Sequence, residues 1–244
     1  MAAILSINPD EPDPALLQQA VQCLRDGGIV LYPTETFYGL GVHYANDSAL
    51  SRLFHIKERD AAKPVLLLIP DTAWVHRLAA AVPEAALTLA GHFWPGPLTL
   101  VLRAAPHVSR FITGDGKTVG MRISSNLVAH RLLTLFGDCI TSTSANRAGE
   151  RSPSAIQHIP RQLLNAIDLV IDAGETPGGS PSTVFDLSIM PFNIVREGAV
   201  PLAAIQAPGR QTPKHPSFLS KSIPTPRIEL GEKLAQENCV FLTR

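Results

Sequence analysis

The chain has 244 residues, of which 45% are hydrophobic and 17% charged, enough to bury a core in one large domain or in one domain plus an appendage. Lys and Arg together number 21, as do Asp and Glu, so the formal net charge of +0 excludes a global basic field for nucleic acid. The longest apolar run, residues 65–69, is far too short to span a bilayer. Any attraction for anions must therefore come from local clusters of cations.

Cysteine usage and the amino terminus indicate a cytoplasmic protein. The three cysteines, Cys23, Cys139 and Cys239, are widely separated and odd in number, which argues against a disulfide framework. The first residues, "MAAILSINPDEPD", lack basic side chains and become acidic, unlike a signal peptide. We expect a reduced, cytoplasmic chain.

Helices and strands alternate along the first two thirds of the chain. Residues 13–28 predict a helix that Asp13 caps, that Pro14 starts and that Gly27 and Gly28 end. The run "GGIVL" then reads as a buried strand that leads into "YPTETFYGLG". Further helices are predicted at 47–60, 83–94 and 126–137, and further strands at 63–70, 98–104, 117–124 and 138–143.

The last third of the pattern differs, because three short strands follow one another. A helix over 152–166, interrupted or preceded by Pro160, comes before strands at 168–174, 182–187 and 192–198. This order predicts a layered α/β or α+β domain with a mixed sheet. Residues 1–206 form the predicted domain. Residues 207–244, with five prolines, are predicted to be a tail that is either disordered or a lid.

Two predicted strands end in small polar side chains. The first leads into Thr34, Glu35 and Thr36, and the strand at 138–143 leads into "TSTSAN". Ligands of layered α/β proteins bind at the carboxyl ends of strands, where hydroxyls and amides can hold a ligand without filling its space. The alternative is that these residues form side-chain-stabilised turns and helix caps.

Several cations occur where a surface role is not the obvious one. Lys57 continues the buried stripe of its helix, so its ammonium points toward the core, and if the helix ends there Arg59 can aim at the same spot. Arg122 and Arg196 lie within strand patterns that have apolar neighbours. Such cations beside hydroxyl-rich loops suit a polyanionic ligand. The alternative is that Lys57 only supports the helix end and that the arginines are surface or ion-paired residues.

Two other motifs carry less information. The loop "GDGKT" lacks the first glycine of a phosphate-binding loop and leads into a strand, so it reads as a plain turn. The histidines show no zinc-ligand spacing, and we predict no protein-bound metal.

Eight segments occur together in the order of a known family: "PTETFYGLG", "KER" followed by "KP", "WPGPLTLVL", "VGMR", "STSAN", "SP", "PSTVFDL" and "VREGAV". With them the chain resembles the YrdC/TsaC family of L-threonylcarbamoyladenylate synthases over roughly residues 5 to 205. The resemblance implies a mixed, twisted sheet with helices on both faces and a large concave cavity. It also implies a cytoplasmic nucleotidyltransferase that makes threonylcarbamoyl-adenylate and pyrophosphate from L-threonine, bicarbonate and MgATP, for the threonylcarbamoyladenosine modification of tRNA.

The resemblance also implies roles for individual residues. Lys57 and Arg59 would be catalytic and would meet the phosphates and the forming carbamate. ATP would be bound by Lys57, Arg59, Thr118, Ser144, Asn146, Ser152 and Arg196. Threonine would be bound by Thr34, Thr36, Arg122, Ser142 and Ser182. Downstream threonylcarbamoyl transferase proteins and tRNA would be partners.

The chain departs from the family pattern at Leu68, where some relatives have a histidine that contacts threonine, and at Ser124, where many have proline. Two other functions stay open: a related carbamoyl-adenylating module that uses carbamoyl phosphate, and a double-stranded RNA-binding or ribosome-assembly factor. The neutral charge and the absence of an aromatic RNA-stacking motif disfavour the latter.

Overall fold

The computed structural model of the chain describes residues 2–146 and 150–206, which belong to one compact unit. The strands in these residues are β1 Ala3–Ser6, β2 Val30–Tyr32, β3 Gly39–Gly41, β4 Leu66–Leu68, β5 Leu98–Arg103, β6 Thr118–Arg122, β7 Ile140–Ser144, β8 Leu169–Asp172, β9 Thr183–Asp186 and β10 Asn193–Arg196. The helices are α1 Pro14–Arg25, α2 Asp47–Ile56, α3 Ala73–Leu78, α4 Glu84–Phe93, α5 Arg110–Thr113, α6 Leu127–Phe136, α7 Arg161–Ala166 and α8 Leu202–Gln206. The predicted tail, 207–244, lies outside the described residues.

All of these strands join one mixed sheet in the order β1-β8-β2-β3-β7-β4-β6-β5-β9-β10. β8 pairs in parallel with β1 and β2, and β6 pairs in parallel with β4. The central strand β7 is antiparallel to both of its neighbours, β3 and β4. The sheet therefore brings together segments from both ends of the described chain.

Helices cover both faces of the sheet because the strand residues alternate between two apolar cores. In β2, Leu31 packs with the buried faces of α2, α3 and α4, whereas Val30 and Tyr32 pack with α1 and α6. Leu67 and Leu68 of β4 divide between the two cores in the same way. The predicted mixed sheet with helices on both faces is confirmed.

Capping residues mark the ends of the principal helices. Asp13 accepts a hydrogen bond from the backbone of α1, and Pro14 occupies its first turn. Asn46 and Asn126 cap α2 and α6 in the same way. Gly137, with φ of 74°, ends α6 in the left-handed conformation that glycine adopts most easily.

Some elements differ from the sequence prediction. The predicted helix over 47–60 ends at Ile56, since Lys57 caps it and Glu58 has φ of 49°. Of the two alternatives for residues 152–166, a helix interrupted by Pro160 or preceded by it, the structure has the second: α7 begins at Arg161, and Ser152 precedes an irregular segment and a 3₁₀ turn at Ile156–His158. The short elements β1, β3, α3, α5 and α8 were not predicted. None of the helices in the described ranges has the length and apolarity needed to cross a membrane.

Candidate active site

One face of the sheet forms the floor of a cavity of about 580 Å³, a volume typical of small-molecule sites. Thr118, Gly120 and Arg122 of β6 line it, while the intervening Val119 and Met121 are buried in the core of the opposite face. The floor thus follows the two-residue period of a strand. The other strand residues at the cavity are Gly39, Leu66, Thr99, Val101, Ser142, Thr143, Ser144, Val184, Val195 and Arg196.

The turn between β2 and β3 forms another wall of the cavity, and Thr34 shapes it. Its hydroxyl donates to the carbonyl of Phe37 at 2.7 Å and accepts from the backbone N–H groups of Thr36 and Phe37 at 3.2 Å each. Thr34 therefore uses most of its hydrogen-bonding capacity inside the turn. Thr36, whose hydroxyl lies 3.0 Å from that of Thr34, retains capacity for a ligand.

Contacts with two distant segments hold this turn in place. The N–H of Tyr38 donates to the carbonyl of Pro153 at 3.0 Å. The carbonyl of Thr36 accepts from the N–H of Gly178 at 2.8 Å and from the hydroxyl of Thr176 at 3.1 Å. The hydroxyl groups at the cavity are thus fixed by backbone contacts.

At the end of α2, the side chain of Lys57 lies behind the cavity wall. The Lys57 side chain is buried, and its ammonium donates to the backbone carbonyls of Ser144 and Asn146, at 2.5 Å each. Burial, together with the nearby charge of Arg59, lowers the pKa of Lys57 to about 8. Lys57 therefore braces the end of β7 and does not line the cavity.

Arg59 faces the cavity after the left-handed turn at Glu58. One terminal nitrogen donates to the carbonyl of Pro64 at 2.6 Å, and the guanidinium lies 5.9 Å from the ring centroid of Phe54. Its Nε is buried and, among the described residues, has no hydrogen-bond partner. Burial lowers the pKa of Arg59, but a guanidinium stays charged near neutral pH.

The polar end of β7 divides its residues between the cavity and the wall. Ser142 and Ser144 line the cavity, whereas Asn146 does not. The Asn146 amide donates to the carbonyl of Glu150 at 2.6 Å, and its Oδ1 is buried without a partner in the described part of the chain.

Arg196 of β10 reaches the cavity from the edge of the sheet. Its Nε and one terminal nitrogen donate to the carbonyl of Ser182 at 3.2 and 2.8 Å, and the terminal nitrogen also reaches the Ser182 hydroxyl at 3.0 Å. Burial and the charge of Arg122 lower the pKa of Arg196. The side chains of Arg122 and Arg196 both line the cavity.

Arg122 is the most deeply buried cation at the cavity, with 3% of its side chain exposed. It donates through a terminal nitrogen to one carboxylate oxygen of Glu35, and the Ser124 hydroxyl donates to the other oxygen. The Nε of Arg122 is buried and lacks a partner among the described residues. Arg122 thus has a compensating charge on one side and an unused donor on another.

The cavity brings together every site residue predicted from the sequence except Lys57 and Asn146, which lie just behind its wall. It also includes residues that the sequence analysis did not single out, notably Lys63, Thr99 and Gly120. The two-residue period of β5 and β6 could have identified Thr99 and Gly120. Lys63 stands in the "KP" motif but carries no pattern that points to a cavity.

Comparison with known proteins identifies relatives of the chain. The family model Sua5/YciO/YrdC, described as "Telomere recombination", matches residues 22–198. The chain is 39% identical over 202 residues to threonylcarbamoyl-AMP synthase of Pyrococcus abyssi, a match that covers 83% of this chain and 59% of that protein. It is 35% identical over 189 residues to threonylcarbamoyl-AMP synthase of Vibrio cholerae, a match that covers 75% of this chain and 97% of that protein.

A solved structure shares the fold. The crystal structure of P. abyssi Sua5 complexed with L-threonine matches with a TM-score of 0.82 at 36% identity, and the match covers 92% of this chain and 66% of that chain. The chain thus spans less than two thirds of the P. abyssi proteins. The resemblance noted in the sequence is confirmed in sequence and in fold, and the chain belongs to the Sua5/YciO/YrdC family.

Proposed function

We propose that the chain is an L-threonylcarbamoyladenylate synthase, which joins L-threonine, bicarbonate and ATP and releases pyrophosphate. The observation that carries the proposal is a single cavity that joins hydroxyl groups to guanidinium groups whose charges are not all compensated. The relatives named threonylcarbamoyl-AMP synthase, and the related structure complexed with L-threonine, support the choice of substrates.

The reaction must bring three anionic groups together, and the cavity suits that task. The carboxylate, the carbamate and the triphosphate repel one another, so fixed cations are needed to hold them close. Within the described residues, Arg59 and Arg196 donate hydrogen bonds to neutral oxygens of Pro64 and Ser182, which leaves both positive charges available to a ligand. Lys63 adds a third, exposed cation.

The reaction depends mainly on the positioning of its substrates. The threonine amine, after losing a proton, attacks the carbon of bicarbonate, the C–O bond to the hydroxyl breaks and the hydroxide leaves as water with a second amine proton; if carbon dioxide derived from bicarbonate is attacked instead, that second proton passes to solvent, and a carbamate forms in either case. A carbamate oxygen then attacks the α-phosphorus of ATP, and the bond to the pyrophosphate oxygen breaks. MgATP enters as a substrate. The protein contributes alignment and charge neutralisation to these steps.

The residues divide between the two substrates. At the threonine end, Arg122 would hold the carboxylate, with hydroxyl groups of Thr36, Ser142 and Ser182 around the rest of the molecule. At the ATP end, Arg59, Arg196 and Lys63 would meet phosphate oxygens. Thr118, Ser144 and Ser152 would contribute hydroxyl groups there. Thr34 would act mainly by shaping the turn that presents Thr36.

The role of Lys57 and Asn146 is more indirect in this proposal. Lys57 would order the end of β7. If a triphosphate oxygen replaced one of the two carbonyl partners of Lys57, the ammonium would become part of the site. The Oδ1 of Asn146, which has no partner among the described residues, would accept a hydrogen bond from a donor group of the nucleotide. Leu68 is fully buried in the core beside α1 and α6, so it would contribute nothing to the threonine site.

The product also suggests partners. Threonylcarbamoyl-adenylate is a mixed anhydride, so it needs a prompt acceptor for its threonylcarbamoyl group. We propose that a transferase acting on an adenosine of tRNA consumes it, with direct contact between this chain and tRNA as a further part of the proposal.

The test is the release of pyrophosphate from MgATP. Release should require both L-threonine and bicarbonate, because the carbamate is the nucleophile. Release that ignores threonine would exclude the synthase, and release that instead requires carbamoyl phosphate would indicate the related carbamoyl-adenylating activity. RNA binding that weakens steeply with salt, without pyrophosphate release, would indicate an RNA-binding factor.

A pair of variants tests the assignment of the cations. Arg59→Gln should lower kcat/KM for ATP by about a hundredfold, since it removes an uncompensated charge at the phosphates. The matched control is Arg110→Gln, because Arg110 is an exposed arginine that pairs with Asp115 and does not line the cavity. Equal losses in both variants would contradict the assignment.

A further inference from the structure

We propose that Glu35 and Ser124 are positioning residues that fix Arg122 for the carboxylate of the amino-acid substrate. This inference rests on the proposed function and deepens it, because it assigns substrate selection to two residues that act through a third. The sequence analysis gave neither residue a role in substrate binding.

The contacts form a continuous chain from the loop after β2 to the start of α6. Arg122 and Ser124 each donate to a different oxygen of the Glu35 carboxylate. The Ser124 hydroxyl also accepts from the N–H of Asn126 at 3.2 Å, and Asn126 caps α6. Both oxygens of the Glu35 carboxylate are therefore held, and the contact through Ser124 is anchored by helix α6.

Burial makes these contacts strong determinants of side-chain position. The exposed fractions are 3% for the Arg122 side chain and 10% for that of Glu35, and Ser124 is 1% exposed. Water has little access to substitute for a lost partner. Removal of either oxygen contact would therefore let the Arg122 side chain adopt other rotamers.

The guanidinium is left with donors for a ligand. Glu35 uses one terminal nitrogen of Arg122, whereas Nε is buried and has no partner among the described residues. A guanidinium presents its donors in a fixed planar fork, so orienting one edge orients the other. A substrate carboxylate at the edge that contains Nε would satisfy the unused donor without displacing Glu35.

The pairing also affects selectivity. With Glu35 beside it, Arg122 has little net charge to offer, so it distinguishes ligands by the geometry of its donors. Arg59 and Arg196 have no such carboxylate partner among the described residues, because their hydrogen bonds go to carbonyl and hydroxyl oxygens, so their charges remain for the phosphates. The threonine and ATP ends of the cavity are thereby made chemically different.

The experiment compares Glu35→Ala, Glu35→Gln and Ser124→Ala in threonine-dependent pyrophosphate release. KM for L-threonine should rise about tenfold in Glu35→Ala and about threefold in Ser124→Ala, while KM for ATP stays within about twofold, because only the carboxylate contact is misaligned. Glu35→Gln keeps the shape: its Oε1 can still accept from Arg122, and its amide nitrogen can donate to the Ser124 hydroxyl, so KM for threonine should stay within about threefold of the wild-type value.

Two controls separate positioning from a general structural effect. Ser109→Ala removes a comparable bond, from a serine hydroxyl to a carboxylate of Asp47 at 2.6 Å, outside the cavity, and should leave KM for threonine unchanged. In an Arg122→Lys background, Glu35→Ala should change KM for threonine by less than about twofold, because Glu35 acts through Arg122. Thermal unfolding of each variant checks that it is folded.

The outcomes separate this inference from the proposed function. If wild-type protein shows no threonine-dependent release, the proposed function fails. If the wild-type protein does show threonine-dependent release, two results would contradict the positioning role. One is that Glu35→Ala and Ser124→Ala raise KM for threonine and KM for ATP equally; the other is that they raise neither KM. A lower KM for threonine in Glu35→Ala would show competition between Glu35 and the substrate, which also overturns it. Should Glu35→Ala not fold, Ser124→Ala and Glu35→Gln decide by the same criteria.

Discussion

The ammonium of Lys57 is held by two backbone carbonyls, and this has a measurable effect on stability. The Lys57 pKa is lowered from 10.5 to about 8, chiefly by burial. A neutral amine still has two N–H groups for the two carbonyls, so loss of the proton removes a buried charge without breaking the contacts. The folded state therefore binds fewer protons than the unfolded state between these two pKa values.

This predicts that the wild-type protein gains stability relative to Lys57→Met as the pH rises. Below pH 8 Lys57 carries its proton in both the folded and the unfolded state, so the folded state bears the full free-energy cost of burying the charge. Between pH 8 and 10.5 the folded state loses the proton first, and this cost disappears. Between about pH 7.5 and 9.5 the difference in unfolding free energy should shift by about 2 kcal/mol in favour of the wild type. Urea unfolding at several pH values measures it, and a flat difference would contradict the low pKa.

A second residue-scale prediction concerns Arg122→Lys. A lysine lacks the planar fork, so the variant should lose about tenfold or more in kcat/KM for threonine while binding of ATP stays within about threefold. Steady-state kinetics with each substrate varied in turn provide the comparison. Equal loss for both substrates would count against the assignment of Arg122 to the carboxylate.

Sequence reasoning identified some of these residues and could not identify others. The direction of Lys57 follows from the periodicity of α2, a local property. The contact of Glu35 with Ser124 joins positions 89 residues apart, which no local pattern encodes. The sequence shows that Thr34 follows a strand, but the partners of its hydroxyl depend on the turn geometry that only the folded backbone supplies.

At the scale of elements, β3 illustrates why short strands escape prediction. Its sequence, Gly39–Gly41, is unfavourable for a strand, yet it pairs with β2 and β7 and connects the two halves of the sheet. Glycine is needed because the ring of Tyr32 packs over the strand: a Cβ on Gly41 would lie 2.7 Å from Tyr32 Cε1. Packing here overrides strand propensity.

Gly41→Ala should therefore destabilise the fold by about 2 kcal/mol, because Tyr32 is fully buried and hydrogen-bonds to the carbonyl of Thr141 at 2.9 Å. The matched control is Gly91→Ala in α4, where a Cβ would meet no atom within 4 Å. That change should stabilise by about 0.5–1 kcal/mol through helix propensity. Chemical denaturation measures the change in unfolding free energy for each variant. Changes of the same sign in both variants would contradict the packing argument.

The longer helices α1, α2, α4 and α6 occur where the sequence predicts helices, although α2 ends early at Ile56, whereas several of the shortest elements, such as β3 and α5, were not predicted. Long periodic segments carry their own signal, since a cap and an apolar face lie within a few residues of one another. Elements of three to six residues, such as β3 and α3, are stabilised mainly by pairing and packing with distant segments. The order of strands in the sheet likewise depends on contacts between both ends of the domain.

At the scale of the whole molecule, ligand binding should couple these distant segments. The cavity is lined from the turn after β2, the loop after α2, and strands β4 to β7, β9 and β10, so a ligand that fills it contacts most of the sheet. A ligand that binds only the folded state stabilises it in proportion to the logarithm of its concentration. MgATP at about a hundred times its dissociation constant should add about 2.7 kcal/mol.

For a domain of this size, that gain predicts a rise in melting temperature of about 5–10 °C, measurable by differential scanning fluorimetry. The formal net charge of +0 means that a non-specific attraction for polyanions is weak, so sodium sulfate at equal ionic strength serves as the control and should give a much smaller shift. Arg59→Gln should reduce the shift with MgATP, since it removes a charge at the cavity, while Arg110→Gln should not. An equal shift with sulfate, or an unchanged shift in Arg59→Gln, would mean that the nucleotide binds elsewhere on the molecule.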